Sequence, residues 1–100
     1  MTSGFSLNGN ILEKNGEIVG RIERGMICDE KGGEILRFTS SEIKNKFGTV
    51  LAKVEKGKIL SMSGHELSSV VKARLCFENC NTTPDIEVGA LWVIFVKGMN

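Results

Sequence analysis

The chain has 100 residues, with 13 Lys and Arg against 12 Asp and Glu, a formal net charge of +1 and 41% hydrophobic residues. That length suits one domain, 1–100, and leaves no room for a second. The even charge balance supplies no basic stripe for coating nucleic acid, no acidic tail and no polybasic membrane patch, and the hydrophobic content excludes an intrinsically disordered chain.

The opening residues, MTSGFSLNGN, hold neither a basic region nor an apolar one, so a signal peptide is not expected and the cytoplasm is the expected compartment. From Asn8 onward an internal repeat organises the chain. Ile recurs at 11, 27, 43 and 59, a column expected to be buried, and Gly at 16, 32, 48 and 64, both in steps of sixteen. The clear blocks are 8–23, 24–39, 40–55 and 56–71, followed by degenerate blocks 72–87 and 88–100. Further columns agree: Val19, Ile35, Leu51 and Leu67 at the twelfth position, Ile22, Phe38, Val54 and Val70 at the fifteenth, and Gly9, Gly25, Ser41 and Gly57 at the second.

Each block carries two turn signals eight residues apart. Asn15-Gly16 is a strong two-residue hairpin turn, because a type I′ turn needs positive φ at both central positions. Lys31-Gly32, Phe47-Gly48 and Ser63-Gly64 stand in the same place, and Arg24-Gly25 and Lys56-Gly57 mark the second turn. About six residues between turns is the length of a strand, and too short for a stable helix. The expected unit is therefore a β-hairpin, and the expected fold is all-β, a meander of antiparallel hairpins that is closed or radially arranged so that edge strands are protected.

Two features bear on facing. The twelfth position is apolar in all four clear blocks, yet by alternation it should point away from the core face. Either a bulge lies near position thirteen, where Gly20, Ala52 and Ser68 are small, or the second face is also covered. The last segment is apolar throughout, at Leu91, Trp92, Val93, Ile94, Phe95 and Val96. An alternating pattern would mark a half-exposed strand, so this one is expected to be a strand buried on both faces, filling the centre or forming an interface with another subunit. Seven consecutive apolar residues, Ala90 to Val96, are too few to span a bilayer.

The stretch Ile11-Leu12 with Asn15-Gly16-Glu17-Ile18-Val19-Gly20-Arg21-Ile22 resembles the hairpin repeat of the bacterial β-flower proteins, of the four-fold and five-fold types. Ser63-Gly64-His65-Glu66-Leu67 is similar to a Gly-x-His-Leu stretch of some members, with an inserted Glu. The resemblance covers residues 8–71 well and 72–100 poorly, and Ser40-Ser41 and Cys80 depart from its glycine pattern. It implies a flower-like fold of bacterial type and no particular activity.

Candidate chemistry is thin. Cys28, Cys76 and Cys80 with His65 include four zinc-ligand types, but Cys76 and Cys80 lack knuckle spacing, and three cysteines do not make a disulfide framework. His65 after Gly64, and Ser61, Ser63, Ser68 and Ser69 around it, read as turn and surface residues. Asp29, Glu30 and Glu34, and Glu13 with Glu17, flank turns rather than a cleft. Gly32-Gly33 lacks the ending of a phosphate-binding loop. Lys44, Lys46, Lys53, Lys56 and Lys58 are interleaved with Glu42 and Glu55 and read as a mixed-charge face. No catalytic residue, metal ligand or cofactor is expected, and neither a nucleic-acid nor a membrane partner. The expectation is a non-catalytic β-repeat module acting through protein–protein interaction or self-assembly as a homo-oligomer, with Leu91 to Val96 as its interface. The alternative is a small-molecule or carbohydrate binder at the axis or rim of the ring.

Overall fold

The glycines at the hairpin tips set the strand lengths. In the computed structural model, which describes residues 4–99, Gly16, Gly32, Gly48 and Gly64 all sit in turns with φ between 88° and 91°. Nine strands follow one another as an antiparallel meander: β1 Phe5–Asn8, β2 Ile11–Lys14, β3 Glu17–Glu23, β4 Met26–Cys28, β5 Glu34–Phe38, β6 Glu42–Asn45, β7 Val50–Glu55, β8 Lys58–Leu60 and β9 Glu66–Ser69. Helix α1, Val70–Arg74, leads to a short strand β10, Phe77–Glu78, which pairs in parallel with β1. Helix α2, Asp85–Leu91, continues into a π-helical segment, Trp92–Lys97, which ends at Gly98 with φ 77°. The sheet has ten strands in the order β10-β1-β2-β3-β4-β5-β6-β7-β8-β9 and does not close, which corrects the closed arrangement.

The tip loops come in two sizes. Asn15-Gly16 is a two-residue turn with φ of 53° and 88°, flanked by the pair Lys14 and Glu17. The other three are one residue longer, and each opens on a side chain that holds it. The Asp29 Oδ1 accepts from the Lys31 and Gly33 amides at 2.9 and 2.8 Å, and the Asn45 Oδ1 accepts from those of Phe47 and Thr49 at 2.9 and 3.0 Å. The Ser61 Oγ accepts from the His65 amide at 3.1 Å. Short polar side chains at a turn's first position satisfy backbone donors in this way.

The shorter first loop moves the core by one residue. Leu12 pairs with Gly20, whereas Ile27 pairs with Leu36, Ile43 with Ala52 and Ile59 with Ser68. Leu12, Ile27, Ile43 and Ile59 are therefore the fully buried set, and Ile11, expected there from the sixteen-residue step, is half-buried. The same slip marks the bond that closes each hairpin at its open end. The amides of Phe38, Val54 and Val70 donate to Gly25, Ser41 and Gly57, but that of Ile22 donates to Asn10, all at 2.8 Å.

Of the two explanations for the apolar twelfth position, a bulge is what occurs. Register shifts after Leu12, Ile27, Ile43 and Ile59 leave Val19, Ile35, Leu51 and Leu67 as the extra residues. An unpaired residue bends its strand, so all four side chains turn back and pack against the core.

The segment 91–96 is helical, which corrects the terminal strand. A short, uniformly apolar run fits a buried helix as well as a buried strand, and periodicity alone cannot separate them. Pro84 precedes this helix, and Asp85 and Glu87 in its first turn favour its positive end. The helix lies across the inner face of the sheet. A Cβ on Gly89 would come within 2.6 Å of Val54 Cγ2, and one on Gly20 within 2.9 Å of the Phe95 ring, so glycine allows helix and sheet to touch at both points. Blocks 72–87 and 88–100 thus hold no hairpin among the described residues. The loop between β10 and α2 is fixed by Arg74, which donates to the carbonyls of Cys80 and Thr83 and to Asp85 Oδ1.

Candidate functional site

With α2 and the π-helical segment on the inner face, no helix among the described residues covers the outer face of β4 to β6. Between β4 and β6 the register places Met26, Arg37 and Lys44 side by side, each directly opposite the next. They line a surface groove of about 330 Å³ together with Arg24 and Gly25 of the adjoining turn and Phe38 and Thr39 at the end of β5. Among the described residues, three cations line it and no carboxylate does.

Glu34 braces one of these cations. Arg37 donates from Nε and Nη2 to the two oxygens of Glu34, at 2.6 and 2.9 Å. The bond holds the Glu34 carboxyl below its ordinary range and raises the guanidinium further. Lys44 has a looser partner in Glu42, 3.8 Å away. The Arg24 side chain makes no ion pair or hydrogen bond among the described residues. A second depression of about 220 Å³ lies further along β5 and β6, formed by Ile35, Asn45, Lys46 and Phe47. Phe47 is 82% exposed at its hairpin tip, with the Lys46 ammonium 5.4 Å above its ring.

The expected interface run lies mainly inside the chain. Leu91 and Val93 are fully buried, Trp92, Ile94 and Phe95 are half-buried against the core, and only Val96 is exposed. Phe95 meets Phe5 with ring centroids 5.9 Å apart. The helix residues Val88, Gly89, Ala90 and Leu91, all buried, pack on the inner face of the sheet.

The other candidates do not gather. Cys28 is buried in β4, where desolvation raises its thiol pKa. Cys80 is buried beside the Arg74 and Phe77 carbonyls, and Cys76 is half-buried with its pKa raised by desolvation and by Cys80. His65 is exposed in its turn, and Ser61 and Ser63 share a hydrogen bond of 3.0 Å in the same loop. No group of three or more His, Cys, Asp or Glu among the described residues is placed to hold a metal ion. Asp29 caps its loop, Glu34 holds Arg37, and Lys58 pairs with Glu66 at 3.9 Å.

The groove escapes a reading of the sequence because its residues come from three strands whose alignment depends on the bulges. The only local signal is that Arg37 and Lys44 occupy outward positions. Compared with protein-family models, curated proteins and solved structures, the chain matches none. No helix among the described residues is long and apolar enough to cross a membrane.

Proposed function

We propose that this chain is a non-catalytic β-repeat module that works by binding another protein, with the outer face of β4 to β6 as its contact surface. The observation that carries the reading is the groove itself: three cations beside Met26 on the face of the sheet opposite the helix. A rigid sheet with exposed Arg and aromatic or sulfur-bearing side chains suits protein recognition. In this reading the hairpins are the petals of a β-flower arrangement of bacterial, cytoplasmic type. The hydrogen bond that recurs at the open end of each hairpin supports a repeated unit. Self-assembly as a homo-oligomer is the related form, with β9 and β10 as the sheet edges.

The test is photo-crosslinking in the host cell from p-benzoylphenylalanine at position 26, with position 17 at the opposite rim as control. A discrete adduct from 26 and none from 17 is expected, and an adduct of twice the chain's mass would identify self-assembly. No adduct from 26, or the same adduct from both, would overturn the reading. The second reading, a small-molecule or carbohydrate binder at the rim, is favoured by one observation. The groove's volume reaches the lower end of ligand pockets, roughly 300 Å³. A small molecule retained in a native mass spectrum, with no second polypeptide, would support it.

A further inference from the structure

The groove breaks a rule of sheet pairing. Arg37 and Lys44 stand directly opposite on β5 and β6, and like charges in that relation destabilise a sheet. Arg24 brings a third cation from the neighbouring turn. Nearby carboxylates do not cancel the row. Glu34 engages Nε and Nη2 of Arg37, which leaves Nη1 without an acceptor among the described residues and fixes the guanidinium in one orientation. Glu42 reaches Lys44 only at 3.8 Å, a loose, half-exposed pair that contributes little. Arg24 has no partner among the described residues. Departures from local consistency concentrate where a protein performs a function, and opposed cations are stabilised by an anion supplied from outside.

We propose that the groove receives a carboxylate-rich segment of a partner protein, its acidic side chains on Arg24, Arg37 and Lys44 and an apolar side chain against Met26. This rests on the reading of the chain as a protein-binding module and names the chemistry of what it binds. Charge complementarity selects the acidic groups. The half-buried Met26 selects a peptide over a free anion, which would leave that wall unused.

The test is fluorescence polarisation of the full chain with a fluorescein-labelled Glu-Asp-Leu-Glu-Glu peptide, against the same peptide with Gln and Asn for its acids. The acidic peptide should bind and the neutral one should not. Arg24→Gln and Lys44→Gln should each weaken binding about two- to five-fold, the effect of losing one exposed charge pair. Lys44→Gln should melt no lower than the parent chain, since it removes an opposed like charge. Equal binding of both peptides, unweakened binding by both variants, or binding of inorganic phosphate without the peptide would each overturn the proposal. If position 26 still crosslinks to a partner while the acidic peptide fails to bind, the acidic chemistry is wrong and the module reading stands. If neither occurs, both fall.

Discussion

Asp29, Asn45 and Ser61 stand sixteen residues apart, and each holds its hairpin loop by accepting from backbone amides. The Asp29 carboxyl is held below its ordinary range, chiefly by the Gly33 amide and then by that of Lys31. A carboxyl lowered in the folded state stabilises the fold above its unfolded pKa, and that stabilisation is lost as pH falls through the lower folded value. The melting temperature of the parent chain should therefore decline as pH drops through and below the ordinary carboxylate range. Asp29→Asn keeps the acceptor, as Asn45 does naturally, and should remove part of that decline. A calorimetric pH series on both chains checks this, and identical slopes would show that the cap does not depend on ionisation. The column is visible in the sequence, but its meaning is not: three different polar residues share one role only once the loops they open are seen to have the same length.

The strands and their turns were legible because glycine at a left-handed position leaves little choice of conformation, and sixteen-residue spacing repeats that constraint. Two things were not legible. The first tip loop is one residue shorter, so Leu12 takes the core position that the Ile column assigns to Ile11. The final apolar run forms a helix, which the sequence conceals because Leu91 to Val96 has no polar residue to reveal a period. The register makes the first point measurable. Leu12→Ala should cost about 2–5 kcal/mol, as expected for a fully buried leucine, and Ile11→Ala about 1 kcal/mol or less. Urea denaturation of the two variants decides it, and the opposite order would restore the unbroken repeat. Of the candidate site, only the outward positions of Arg37 and Lys44 could be anticipated; their meeting with Arg24 and Met26 follows from strand register, which no single segment specifies.

On the scale of the whole molecule, one face of a ten-stranded open sheet is filled by the C-terminal helix and the other is left to solvent. One edge is the two-residue strand β10, and the other, β9, runs straight into α1. Short edges and a following helix discourage uncontrolled strand pairing, and the proposed binding is assigned to the outer face. That division of labour is the central claim. Its most direct test is a native mass spectrum of the tag-free chain isolated from its host, recorded beside an Arg24→Gln, Lys44→Gln double variant of equal thermal stability. The account predicts a complex with a second polypeptide for the parent chain and the bare chain for the variant. A bare monomer in both, or a complex that survives both substitutions, would contradict it.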